Sequence, residues 1–86
     1  MNKAEEAFNF AQSEQKKIVA EIVQTRQAKN ISQRKLSELS GVKQPIIARM
    51  EKGTTDPQLE TVLKVLHPLD KTLAVVPNET SKGGAE

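Results

Sequence analysis

The sequence predicts a mainly α-helical domain built around a helix-turn-helix motif, with one short strand near its C-terminal end. Three observations support this prediction: two amphipathic segments meet across a glycine within residues 32–53, apolar residues recur at helical spacing on either side, and one β-prone run follows. The chain has 86 residues, of which 36% are hydrophobic, so it forms one small domain with a modest core. A core of this size gains stability from oligomerisation.

Two apolar faces at helical spacing precede the motif. The first comprises Ala4, Ala7, Phe8 and Ala11. The second, which is stronger, comprises Ile18, Val19, Ile22 and Val23. No proline or glycine separates them, so they belong either to one long helix or to two helices with a break near Ser13, and Asn30 ends the region. We expect an N-terminal helical extension over 1–15, followed by the helix-turn-helix domain over 16–69.

The first helix of the motif is predicted from its cap and its end. The Ser32 hydroxyl can cap a helix that begins at Gln33, and Leu36 and Leu39 then lie three residues apart on one face. Gly41 ends this helix, because glycine accepts the left-handed backbone conformation that a sharp turn between helices needs.

The second helix of the motif is placed by a proline. Pro45 is tolerated only in the first turn of a helix, where its missing N–H costs no hydrogen bond, so the helix begins near Gln44. Ile47 and Met50 then lie three residues apart on its inner face, and Gly53 ends it. The two helices and their turn form the sequence pattern of a helix-turn-helix.

A further helix follows the motif. Asp56 and Pro57 are predicted as its cap and its first helical position, and His67 and Pro68 close it. Its inward stripe is formed by Leu59, Val62, Leu63 and Leu66.

The only convincing strand is a β-prone run within residues 70–77, ended by a proline. An isolated strand leaves its hydrogen-bonding edges unpaired, so we expect it to pair with its own copy in a homodimer. The expected dimer contacts are Leu73, Val75 and Val76. The alternative is an extended segment that lies across the domain's own helices. Residues 78–86 are polar and are expected to form a disordered tail.

Positive charge is concentrated on the motif. The whole chain carries +2, but residues 26–52 contain seven basic and two acidic residues, a net +5, which leaves −3 for the remainder. A basic helix-turn-helix is typical of a surface that meets nucleic-acid phosphates. The alternative is an ordinary solvated helix face, which the coincidence of the charge with the turn motif disfavours.

The composition disfavours catalysis, metal binding and secretion. The chain has no cysteine, and its one histidine, His67, lies at a helix end beside a proline, so we expect no metal ligand, cofactor or catalytic base. No apolar run approaches a membrane span, and the acidic N-terminal residues do not form a secretion signal. We therefore expect a non-enzymatic cytoplasmic protein without a membrane contact.

The segment from Ile22 to Val76 resembles the Cro/C1-type (XRE) helix-turn-helix family. The run SQRKLSELSGVKQPIIARMEKG carries, at the family's spacing, the glutamine that opens the first helix, the leucine pair, the turn glycine and a closing Glu-Lys-Gly. The resemblance implies a lambda-repressor-like fold of four to five helices. A helical N-terminal extension, together with a strand directly after the fourth helix, most resembles antitoxins of the HigA and HipB type.

The resemblance also implies a DNA-binding surface on the second helix of the motif. It implies base readout by Gln44 and Arg49, which can pair with adenine and guanine, and by Ile46, which can contact a thymine methyl group. Pro45 belongs to this surface but stands where family members often carry a polar residue, so shape and apolar contact replace one hydrogen-bonded base contact.

Phosphate contacts and one structural pair are implied as well. Gln33 matches the glutamine that meets the DNA backbone together with a helix N-terminus, and Lys43 and Lys52 would add phosphate contacts. For the two lysines the alternative is a solvated side chain. Arg26 and Glu51 match an internal ion pair of the family and are assigned to structure.

Two classes of function remain: a repressor whose dimer binds double-stranded DNA at a palindromic operator, and a protein-binding module. Antitoxins of the type that the chain resembles combine both. The resemblance therefore implies the antitoxin of a type II toxin–antitoxin pair, which represses its own operon and neutralises a toxin through its helical N-terminus or its C-terminal strand and tail. The alternative is a stand-alone Cro/C1-type regulator of phage or host origin without a toxin partner.

Overall fold

The computed structural model describes residues 2–78, which form four α-helices and a short 3₁₀ turn. Their bounds are Lys3–Ala28 for α1, Gln33–Ser40 for α2, Gln44–Lys52 for α3, Leu59–Leu66 for α4 and His67–Leu69 for the 3₁₀ turn. The prediction of a mainly helical fold is confirmed.

Helix α1 is a single helix of 26 residues, so the chain has no break near Ser13 and continues helically through the domain boundary predicted after residue 15. A capping box holds its N-terminus: the Asn2 side chain accepts a hydrogen bond from the Glu5 N–H at 2.7 Å, and the Asn2 N–H donates to the Glu5 carboxylate at 3.0 Å. After the helix, Asn30 takes a left-handed φ of 59° and redirects the chain toward α2.

Helices α2 and α3 begin and end where the sequence predicts. The Ser32 hydroxyl accepts a backbone N–H bond of 2.9 Å in the first turn of α2. Gly41 and Gly53 follow α2 and α3 in the left-handed conformation, with φ of 79° and 78°. The Ser37 hydroxyl donates to the Val42 carbonyl at 2.6 Å, and this bond fixes the turn between the two helices.

The core lies where the four helices meet. Its nine buried members are Ile22, Leu36, Val42, Ile47, Met50, Val62, Val65, Leu66 and Leu69. Leu36 and Leu39, which their spacing predicts on one face of α2, differ in burial: Leu36 is fully buried, whereas Leu39 is 48% exposed. The two side chains are rotated by about 60° around the helix, and the short α2 turns only the Leu36 side toward the core.

The predicted start of α4 is wrong by two residues. Gln58, not Asp56, is the residue that precedes the first helical turn, and Pro57 lies before it. The Asp56 side chain does not cap the helix, and its carboxylate instead accepts a hydrogen bond from the Gln15 side chain of α1 at 3.1 Å. A local capping rule does not include a partner so distant in sequence. At its other end α4 stops before His67, as expected.

The strand predicted over 70–77 is not formed, because residues 71–78 have no regular secondary structure. A strand requires a neighbouring strand to complete its ladder of hydrogen bonds, and the described part of this single chain contains none. The pairing of that strand across a dimer is therefore not observed.

The C-terminal segment instead lies on the domain's own helices as far as Leu73, which packs against the core. The Lys71 side chain donates to the Glu21 carboxylate of α1 at 3.0 Å and holds the start of the segment in place. Val75 and Val76 are exposed. Beyond residue 78 the predicted tail lies outside the described residues. Among the described helices, none combines the length and the apolarity that a membrane span requires.

Candidate nucleic-acid interface

Helix α3 turns one face to the core and the opposite face to solvent. Ile47 and Met50 are buried on the inner face. Because successive helical residues are rotated by about 100°, Pro45, Arg49 and Lys52 share the outer face, and all three are exposed. This face therefore presents two cationic side chains and one rigid apolar ring to whatever approaches it.

The N-terminal tip of α3 adds further exposed side chains, those of Gln44 and Ile46. Lys43 precedes the helix with an extended backbone and makes no side-chain capping bond. Pro45 has no N–H, so this tip offers fewer backbone donors than an ordinary helix start. Contacts made here depend on side chains more than on the backbone.

The cations on and beside α3 are not engaged elsewhere. Within residues 2–78, the side chains of Lys43, Arg49 and Lys52 take part in no hydrogen bond or ion pair. The two basic residues in the first turn of α2 differ, because both lie 3.8 Å from the Glu38 carboxylate. Unneutralised positive charge is thus concentrated at α3.

A part-buried ion pair connects α1 with α3 behind the outer face. The Arg26 Nε and Nη2 atoms donate to the two carboxylate oxygens of Glu51 at 2.8 and 2.9 Å, and Nη1 donates to the Ile31 carbonyl at 2.9 Å. The Arg26 and Glu51 side chains are 12% and 7% exposed. A bidentate pair withdrawn from water in this way fixes the two helices relative to each other.

Gln33 joins the same network. Its Nε2 donates to Oε1 of Glu51 at 2.8 Å, which commits one of its two amide N–H groups to the protein. The second N–H and the backbone N–H at the start of α2 are the groups that a phosphate could use. Sequence reasoning missed this bond, because no local pattern relates two residues 18 positions apart.

A depression of about 450 Å³ beside α3 was also missed. Its wall on the α3 side includes Ile46 and Arg49, and the opposite wall includes Thr55, Gln58 and Thr61. Hydroxyl and amide groups of this kind commonly contact the DNA backbone. Residues 56–58, where the sequence predicts a helix cap and a first turn, precede α4 in the structure.

A family model described as Helix-turn-helix matches residues 22–76. The chain belongs to this helix-turn-helix family. The match includes α2, α3 and α4 and begins inside α1, so the first 19 of the 26 residues of α1 lie outside the family's common region.

Two curated relatives of this helix-turn-helix protein bear similar descriptions. An uncharacterized HTH-type transcriptional regulator of Haemophilus influenzae is 60% identical over 60 residues, which cover 70% of this chain and 61% of that protein. The uncharacterized HTH-type transcriptional regulator y4dL of Sinorhizobium fredii is 34% identical over 62 residues, which cover 72% of this chain and 32% of that protein. The chain therefore spans about three fifths of the first relative and about one third of the second.

A solved structure described as a toxin–antitoxin module from Streptococcus pneumoniae is also similar. It has a TM-score of 0.67 and 52% sequence identity, and the match covers 91% of this chain and 83% of that chain. The likeness thus extends beyond the common helix-turn-helix region into α1.

Proposed function

We propose that this helix-turn-helix protein is a sequence-specific DNA-binding repressor that acts as the antitoxin of a type II toxin–antitoxin pair. The observation that carries the DNA-binding part is the outer face of α3, where Arg49 and Lys52 are exposed and unpaired within residues 2–78. Behind that face, the pairing of Arg26 with Glu51 holds α3 rigidly. A rigid helix with free cations on its outer side suits insertion into the major groove.

The proposed readout uses residues 44–49 of α3. Arg49 pairs with a guanine and Gln44 with an adenine, and Ile46 contacts a thymine methyl group. Pro45 lies on the same face and shapes the contact without donating a hydrogen bond. These four side chains supply the sequence specificity.

Phosphate contacts place α3 in its groove. Lys43 and Lys52 flank the two ends of the helix and meet the DNA backbone, while Gln33 uses its remaining N–H groups at the start of α2. Because phosphates are the same at every sequence, these contacts contribute affinity and not specificity.

The operator arrangement we propose is a palindrome bound by a homodimer, which places two α3 helices about one DNA turn apart. The exposed Val75 and Val76 are the proposed contacts between protomers. Leu73, predicted as a third contact, packs on its own core and instead anchors the segment that carries them.

Autorepression is tested by titrating the purified protein against its own promoter fragment and against random DNA of equal length, at several salt concentrations. We expect the promoter to bind about 1,000-fold more tightly, which is typical of specific recognition. Equal affinity for both fragments at every salt concentration would show that the protein is not a specific repressor of its own operon.

The antitoxin role is supported by the likeness to a chain of the Streptococcus pneumoniae toxin–antitoxin module at 52% identity. It is tested by expressing the reading frame adjacent to this gene with and without this protein. Growth arrest that co-expression relieves is the expected result. The curated relatives are described only as transcriptional regulators, which favours a stand-alone regulator as the second candidate. If the product of the adjacent reading frame does not arrest growth and does not bind this protein, the stand-alone regulator is the correct candidate.

A further inference from the structure

The N-terminal part of α1 carries an apolar face with nothing beneath it among the described residues. At about 100° per residue, Ala4, Phe8 and Ala11 lie within about 40° of the line through Ile22, the buried core residue of α1. The face that packs on the core thus continues toward the N-terminus. We call residues 3–14 the overhang and this continuation, Ala4, Phe8 and Ala11, the overhang face.

The domain ends before the overhang face does. Gln15 lies on the same line of α1 and donates to Asp56 at 3.1 Å, at the edge of the domain. On the N-terminal side of this contact, every residue from 2 to 11 is exposed. The hollow beside Phe8 is lined by residues of α1 and its cap alone. The molecule is accordingly 45 Å long but only 23 by 19 Å across.

Phe8 is the main apolar group of this face, and 63% of it is exposed. An aromatic side chain can bury about 150–250 Å² when a partner covers it, so leaving it in water is costly. Phe10 is 43% exposed but lies about 200° away around the helix, on the other side of α1. The two phenylalanines therefore mark opposite faces of one helix.

The charge of the overhang identifies the kind of partner. Residues 3–14 contain one lysine and three glutamates, a net −2, whereas residues 15–78 contain eleven basic and six acidic residues, a net +5. An acidic segment is repelled by DNA phosphates, so the overhang is not an extension of the DNA surface. Glu5, which lines the hollow beside Phe8, instead favours a protein surface that carries positive charge next to an apolar centre.

The overhang lies outside the region that the helix-turn-helix family shares. The family model begins at residue 22, so the common helix-turn-helix does not include the overhang. The toxin–antitoxin structure matches 91% of this chain, which is more than the 73 residues that follow Ser13, so that match includes part of the overhang. Part of the overhang is thus shared with a chain that comes from a toxin–antitoxin module.

We propose that the overhang face is the toxin-docking surface: a basic toxin places an apolar surface against Ala4, Phe8 and Ala11, with its cations beside Glu5. This inference rests on the proposed antitoxin function. The sequence predicts two possible toxin-docking regions, the N-terminal helix and the C-terminal segment. We assign toxin docking to the N-terminal helix and the contact between protomers to the C-terminal segment.

The test compares Phe8→Ser with Phe10→Ser, two equal substitutions at exposed positions on opposite faces of α1. The probe is the purified product of the adjacent reading frame, titrated against each full-length variant by calorimetry. We expect Phe8→Ser to weaken binding at least about tenfold and Phe10→Ser to change it less than about twofold. Circular dichroism and promoter binding should match the unsubstituted protein for both variants, because neither side chain belongs to the core or to α3.

Each contrary result has a distinct meaning. If the unsubstituted protein does not bind the probe, the antitoxin function fails and the docking surface fails with it. If it binds but both variants bind equally well, the antitoxin function stands and the overhang face is not the docking surface. If Phe8→Ser lowers the sedimenting mass of the free protein, the face belongs to a contact between copies of this chain, and the proposal is overturned.

Discussion

Glu51 connects three helices through one carboxylate. It accepts two hydrogen bonds from Arg26 of α1 and one from Gln33 at the start of α2, and it belongs to α3 itself. Its side chain is 7% exposed, so these partners replace nearly all of its water. The orientation of α3 relative to the rest of the domain depends on this residue.

Removing one member of the buried pair should destabilise the fold more than removing both. Arg26→Met leaves the Glu51 carboxylate buried without its cation, and we expect the free energy of unfolding to fall by about 3–5 kcal/mol. Arg26→Met combined with Glu51→Leu replaces the pair by apolar groups and should recover most of that loss. Urea unfolding of both variants and of the unsubstituted protein measures the difference. A double variant as unstable as Arg26→Met would contradict the account.

Residue roles were predictable from the sequence only where a family pattern or a local rule applied. Arg26 and Glu51 were assigned to one pair by resemblance, and the structure places them together. The bond from Gln33 to Glu51 follows from three-dimensional packing alone and had no signal in the sequence. Whether Gln44 or Arg49 reads a base is a property of the complex with DNA, so neither the sequence nor the free protein decides it.

The turn between α2 and α3 depends on one backbone conformation. Gly41 has a φ of 79°, and a Cβ placed there would meet no atom within 4 Å. The requirement for glycine is therefore conformational and not a matter of space. An L-residue at this φ pays about 1 kcal/mol in backbone strain, and asparagine pays less than alanine.

Gly41→Ala should accordingly lower the free energy of unfolding by about 1 kcal/mol, and Gly41→Asn should lower it less. Chemical denaturation of the two variants gives the comparison, and asparagine serves as the matched control because it tolerates the left-handed region. Equal stability of Gly41→Ala and the unsubstituted protein would mean that the turn does not need this conformation.

Elements defined by local signals were predicted well, and elements defined by distant partners were not. Ser32, Gly41 and Gly53 place the ends of α2 and α3 through their own backbone and hydroxyl groups. For α4 the sequence predicts Asp56 as the cap, whereas the Asp56 side chain binds Gln15 of α1 and Gln58 precedes the helix. The strand was wrong because strand formation requires a second strand, which a β-prone run does not supply.

At the scale of the whole molecule, charge is separated along the chain: the overhang is acidic, and the domain from which it projects is basic. Lys52→Ala should weaken binding to the operator and to random DNA by similar factors. It should also reduce the slope of log affinity against log salt by about one for each protomer bound. Lys64→Ala is the matched control, because Lys64 lies on α4 and is paired with Glu60 at 3.7 Å. If Lys52→Ala and Lys64→Ala give the same slope of log affinity against log salt, Lys52 does not contact a phosphate.

The oligomeric state is the second whole-molecule property. Val75 and Val76 are exposed at the end of a segment that Leu73 anchors to the core. If the proposed homodimer forms through these two side chains, replacing both valines by aspartate should yield a monomer in sedimentation, because like charges would meet across its twofold axis. Thr72→Asp, on the same segment, is the control and should leave the dimer intact. If the variant with both valines replaced still sediments as a dimer, the contact between protomers lies elsewhere.

The central claim is that the outer face of α3 reads a DNA sequence, and Arg49→Ala tests it most directly. The measurement is the ratio of affinities for the operator and for random DNA, with Arg34→Ala on α2 as a control that removes the same charge. We predict that Arg49→Ala lowers this ratio by about tenfold or more, since one bidentate base contact contributes about 1–3 kcal/mol, and that Arg34→Ala leaves it unchanged. A ratio that is the same for both variants would contradict readout by α3.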